Sequence, residues 1–96
     1  MHLSLEEALS VKIEEKIVFT AEDKPRGESS LNLYEKELGA VLKNKDGEKI
    51  CFKPVVCIVK GMNQTEYGII FAVVPEDKQN REPVFYHHSY FNFNSN

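Results

Sequence analysis

The chain has no tryptophan, only two cysteines in 96 residues, and five glycines that never come close enough to form a loop motif. Gly27, Gly39, Gly47, Gly61 and Gly68 stand singly, so nothing cradles a phosphate in the Gly-rich manner. There is no Cys-x-x-Cys and no His-x-x-x-His spacing, which excludes the common zinc patterns and implies no metal and no cofactor. Long apolar runs are also missing. Val55–Val59 and Ile69–Val74 are the longest, far short of the roughly 20 residues a membrane helix needs. The start, Met1-His2-Leu3-Ser4-Leu5-Glu6-Glu7, has neither the basic nor the apolar region of a secretory leader, so the expectation is a cytoplasmic protein. In that setting Asn63-Gln64-Thr65 is an empty glycosylation match. Cys51 and Cys57, both inside apolar segments, read as reduced core residues.

Clustered positive charge is lacking too. The net charge is −3, and residues 1–37 carry nine acidic against five basic side chains, whereas residues 38–96 carry six against seven. Binding to a phosphate backbone needs grouped Lys and Arg, so no nucleic-acid partner is expected. An acidic first third suits a protein partner with a basic surface, although plain solubilising charge has the same composition.

Ninety-six residues make one domain with one core. Ser4-Leu5-Glu6-Glu7 has the form of a capping box, and Leu5, Ala8, Leu9, Ile13 and Ile17 recur at three- and four-residue steps behind it. The spacing predicts an amphipathic helix from Ser4 to about Lys16, followed by a strand at 17–20. A period of two over Val11, Ile13, Ile17 and Phe19 competes, with Glu15 as its misfit. Residues 21–30 read as a polar loop. Leu31–Leu38 fits a two-turn helix, with Ser30 as N-cap and Gly39 beyond its end, and also fits a strand; the extended pattern downstream tips the reading to a strand. Leu38–Lys43 and Glu48–Lys53 flank Asn44-Lys45-Asp46-Gly47, a hairpin turn. Val55–Lys60 is a buried strand, Gly61–Gln64 a turn, Glu66–Val74 a central strand and Val84–Phe93 a long final strand. No second helix of crossover length separates these segments, and parallel pairs need such crossovers. The expected class is therefore α+β: an N-terminal amphipathic helix on a mostly antiparallel sheet of five to six strands.

Candidate chemistry is sparse. In a continuous strand His87 and His88 point to opposite faces, so they cannot readily share a metal. Phe85, His87, Phe91 and Phe93 would face the core, leaving Tyr86, His88 and Tyr90 as an exposed amphipathic stripe. Tyrosine gives large contact area at small entropy cost, which makes that stripe an interface candidate, with packing against the helix as the alternative. Cys57 sits in an apolar strand that quenches thiolate chemistry. The paired acids are sequence neighbours, not carboxylates facing across a cleft.

By elimination, the expectation is a non-enzymatic inhibitor that occludes a protein partner, in the style of toxin-neutralising immunity proteins or phage anti-defence proteins. Its expected surface is Glu22, Asp23, Glu28, Glu35 and Glu37 together with Tyr86, His88 and Tyr90. Two other readings stand beside it: a small enzyme or ligand-binding domain with a pocket near His87, using Tyr86, Cys57 and Glu66, and a self-assembling subunit or homodimer paired through the Val84–Phe93 edge.

Overall fold

The computed structural model describes residues 2–20 and 28–94. Its first helix, α1 (Leu5–Leu9), starts at the expected capping box: the Glu7 amide donates to Ser4 Oγ at 3.2 Å, and the Ser4 amide donates to Glu7 Oε1 at 2.9 Å. The helix lasts five residues rather than continuing to Lys16. Pairing with a strand explains the early stop. The Glu14 amide donates to the Val59 carbonyl at 2.7 Å, and the Val59 amide donates to the Glu15 carbonyl at 2.9 Å. Glu14 accepts a left-handed φ of 73° to make this junction, a conformation unfavourable for a residue with a Cβ. The chain then enters β1 (Lys16–Phe19).

A helix, α2 (Glu28–Leu38), replaces the strand expected over Leu31–Leu38 and takes in the last three residues, 28–30, of the expected loop, whose residues 21–27 lie outside the described ones. Gly39 decides its end. At φ 67° it donates its amide to the Glu35 carbonyl at 2.9 Å, and the Ala40 amide donates to the Tyr34 carbonyl at 3.2 Å. This αL closure satisfies carbonyls that a helix end would otherwise strand. Next come β2 (Val41–Lys43) and β3 (Lys49–Phe52), a separate two-stranded ribbon. Its Asn44–Gly47 turn matches the expectation: Asn44 Oδ1 accepts from the Asp46 and Glu48 amides, and Gly47 sits at φ 81°.

The main sheet is made of β4 (Val55–Thr65), β5 (Gly68–Pro75), β6 (Val84–His87) and β7 (Phe91–Phe93) together with β1. Its order is β6-β5-β4-β1-β7, and every pairing is antiparallel. With two short helices, this is the expected α+β class. Three details differ from the sequence reading. Gly61–Gln64 is not a turn; β4 runs through it with a register shift between Val59 and Gly61, and the turn falls at Glu66-Tyr67. The central strand is β4 and not its neighbour β5. The long final strand is broken by a 3₁₀ turn, His88–Tyr90.

That break sets the shape of the sheet. β6 and β7 are its two edges, yet three residues join them. Four Cα steps from His87 to Phe91 reach at most about 15 Å, whereas the edges of a flat five-stranded sheet lie about 19 Å apart. The sheet is therefore rolled until its edges approach. The inner surface is aromatic: Phe19 on β1 meets Tyr86 on β6 at 4.8 Å between ring centroids, and Phe71 meets Phe91 edge-on at 5.6 Å. Ile17, Cys57, Val59, Ile69 and Val73 complete this interior. Leu3, Ala8 and Val11 join it from the N-terminal segment, and Tyr34, Leu38 and Ala40 from the α2 side.

Candidate functional site

Glu22 and Asp23, two members of the expected acidic surface, lie outside the described residues. Glu28 opens α2, and its side chain also lies outside what is described. Glu35 and Glu37 are half-buried farther along the helix. Neither is an idle surface acid. Glu35 Oε2 pairs with Lys43 Nζ of β2 at 3.0 Å. Glu37 is held twice: Tyr86 donates its phenolic hydrogen to Oε1, and Arg81 Nη1 donates to the Glu37 carbonyl at 2.5 Å. Burial and the neighbouring carboxylate raise the Tyr86 hydroxyl well above the ordinary phenol range, so it stays protonated and keeps donating.

The expected exposed stripe does not form. Tyr86 and His88 are buried, and Tyr90 is half-buried against Phe19, its ring stacked at 6.1 Å. The phase of β6 is the reverse of the one expected. Val84 and Tyr86 point inward, while Phe85 is 69 % exposed on the outer face. The 3₁₀ turn then shifts the parity, so Phe91 is buried although it shares the odd numbering of Phe85.

His87 and His88 lie side by side, ring centroids 4.2 Å apart. His87 Nε2 is 2.7 Å from the Tyr67 carbonyl, which can only accept, so that nitrogen carries the hydrogen. Its Nδ1 accepts from the Ser89 amide at 3.2 Å and lies 2.8 Å from Ser89 Oγ, capping the 3₁₀ turn. His88 Nδ1 accepts from the Ile69 amide at 3.1 Å. Burial, and then its neighbour His87, lowers the His88 pKa from the usual imidazole value. Both rings lean on Gly68, where a Cβ would come within 2.4 Å of His88 Cε1 and 2.7 Å of His87 Nε2.

Cys57 is a free, fully buried thiol, as its apolar strand implied. Burial pushes its pKa up to about 12, and its Sγ lies 3.5 Å from the Val55 carbonyl. Such a thiol is a poor nucleophile at neutral pH. Glu66 is exposed in the β4–β5 turn. A cleft of about 390 Å³ opens on the α2 side, lined by residues that include Leu38, Lys53, Pro54, Glu76 and Lys78, with no contribution from His87 or Tyr86. Among the described residues no three His, Cys, Asp or Glu side chains are grouped to hold a metal, and no helix is long and apolar enough to cross a membrane.

A feature the sequence reading assigned to the core is the most exposed apolar ridge of the N-terminal segment. Leu5, Leu9 and Ile13 are 44 %, 51 % and 52 % exposed. The segment buries Leu3, Ala8 and Val11 in their place, so α1 hides an alanine and presents two leucines. The rim is acidic. Lys60 neutralises Glu14 at 2.9 Å and Glu76 pairs with Lys16 at 2.5 Å. Glu6, Glu7 and Glu15 remain against Lys12. The competing period of two places Val11 in the core, where it is buried, but it places Ile13 there as well, so neither pattern in the sequence exposes Leu5, Leu9 and Ile13 together.

The chain matches no family model, no curated protein and no solved structure.

Proposed function

We propose that this protein acts without catalysis, by docking on another protein and covering part of its surface, as immunity proteins and anti-defence inhibitors do. The observation that carries the reading is the exposure of three large apolar side chains in one short N-terminal segment, Leu5 and Leu9 one turn apart on α1 and Ile13 beyond its end, with the exposed acids Glu6 and Glu7 between them in sequence. Exposed apolar side chains gain by being covered, at roughly 25 cal/mol per Å². Its occupant is a partner protein with an apolar groove bordered by Lys and Arg. A second copy of the chain fits less well, because it would bring Glu6, Glu7 and Glu15 against their own equivalents. The internal bonding of Glu35, Glu37, Tyr86 and His88 supports moving the expected interface from the α2–β6 side to this ridge.

The test is size exclusion with light scattering, at low and high salt, on the protein mixed with the proteins encoded beside its gene. A stoichiometric complex that weakens with salt and is lost in the double variant Leu5→Ser, Leu9→Ser supports the reading. A complex indifferent to that variant places the interface elsewhere, and failure to form any complex removes the proposal.

A further inference from the structure

Two adjacent imidazoles tie together parts of the chain that are separate in the fold. His87 holds the β4–β5 turn through the Tyr67 carbonyl and the 3₁₀ corner through the Ser89 amide. His88 holds the start of β5 through the Ile69 amide. In each ring Nδ1 is an acceptor for a backbone N–H. The Tyr67 carbonyl fixes the His87 hydrogen on Nε2, and the neutral form of His88 that accepts at Nδ1 also carries its hydrogen on Nε2. Gly68, at φ 131°, lets both rings reach the turn, since any Cβ there would collide with them.

We propose that His87 and His88 form a latch that closes the 3₁₀ corner of the rolled sheet onto the β4–β5 turn, and that a second proton on His88 opens it in acid.

The chemistry follows from the acceptor roles. A second proton on His88 has only Nδ1 to occupy, where it meets the Ile69 N–H head-on and abolishes that hydrogen bond. The resulting cation is buried and 4.2 Å from the other ring. The titratable groups on the elements around the latch are Glu66 and Tyr67 in the turn, Tyr86 on β6, Tyr90 in the 3₁₀ corner, Cys57 and Lys60 on β4, Glu6 and Glu7 on α1 and His2 beside Leu3, whose amide donates to the Phe91 carbonyl; β5 contributes none. Among the described residues no carboxylate makes an ion pair with either ring. The lowered His88 pKa agrees with this arrangement. The sign is fixed: the folded pKa lies below the unfolded value of about 6.5. The latch is therefore fully effective above that value and is lost as pH falls through the folded pKa. The latch lies within the protein itself and needs no docking partner.

The experiment is amide hydrogen exchange followed by NMR on the full chain between pH 7.5 and 5, corrected for intrinsic exchange, with long-range ¹H–¹⁵N spectra reporting the state of each imidazole. The expected result is His88 neutral with its hydrogen on Nε2 at pH 7.5. At pH 5 the Ile69 amide should exchange at least about tenfold faster, while Val59 and Val73 keep their protection. In His88→Asn, whose Oδ1 still accepts from Ile69 but takes no proton, the acid loss at Ile69 should vanish. Unchanged Ile69 protection at pH 5, a different His88 tautomer at pH 7.5, or loss of protection everywhere at once would overturn the latch. The wild-type measurement decides the matter even if the variant fails to fold.

Discussion

Tyr86 and Glu37 are joined by a hydrogen bond between β6 and α2, with the phenol as donor and carboxylate Oε1 as acceptor. Two elements separated by the whole β2–β5 stretch of chain are fixed by this bond, and Arg81 adds a second attachment at the Glu37 carbonyl. Tyr86 also packs on Phe19 and lies 6.4 Å from the Tyr34 ring, so the hydroxyl is placed by an aromatic cluster.

Removing only the hydroxyl isolates this bond. Tyr86→Phe leaves the ring packing and strands a half-buried carboxylate. Hydrogen bonds to charged groups contribute about 1.5–3 kcal/mol, and partial exposure of Glu37 places the expected loss at about 1–2 kcal/mol in urea unfolding. An unfolding midpoint equal to that of the parent would show that water replaces the phenol without cost.

The difference between this cluster and the stripe expected from sequence shows where legibility ended. Local signals were readable because the groups that satisfy them are close in the chain: the Ser4–Glu7 capping box, the Asn44–Gly47 turn and the burial of Cys57 all appear as expected. The antiparallel sheet followed from the lack of crossover helices. Decisions between equal local patterns were not readable. Leu31–Leu38 fits both periods, and the helix wins where Gly39 closes it and Tyr34 finds Phe19 at 5.4 Å. The strand break at His88 depends on His87, Ile69 and the Thr20 amide, which donates to the Tyr90 carbonyl from 70 residues away in sequence. Without those distant partners the alternation of 84–93 assigns Phe85 to the core and Tyr86 to the surface, the reverse of what the fold does.

Among the described glycines, Gly68 alone combines a positive φ with a clash at its Cβ position. Gly68→Ala places a Cβ against two imidazoles in a backbone conformation that L residues rarely adopt. The expected destabilisation is at least about 2 kcal/mol by urea titration, from strain together with displaced rings. A loss near zero would mean that the two rings move aside freely.

The N-terminal segment makes an inverted prediction for an apolar sequence. Leu5→Ser, Leu9→Ser and Ile13→Ser should each leave stability within about 0.5 kcal/mol, as for ordinary surface sites. Val11→Ala, at a buried position, should cost about 2 kcal/mol. Thermal or urea denaturation of the four variants distinguishes the helix phase seen here from the conventional one, in which Leu9 would be the costly site.

Cys57 should be silent toward thiol reagents while the domain is folded. With its pKa near 12, about one part in 10⁵ is thiolate at neutral pH, and burial blocks access. In a Cys51→Ser background, the rate of modification by an aromatic disulfide reagent should follow the population of unfolded chain across a urea titration. Rapid labelling in native buffer would contradict the buried site.

The 3₁₀ corner has one more consequence, for the time at which the domain can form. β1 takes its outer neighbour from β7, so Ile17 waits for Phe93. A nascent chain emerging from the ribosome exposes Ile17 and Phe19 long before the strand that flanks them exists. Until the last of the sheet has emerged, those two side chains are available to any other apolar surface, including that of a neighbouring nascent chain. Synthesis rate and chaperone access therefore bear on the yield of this protein more than they would on a sheet whose first strand paired with the second.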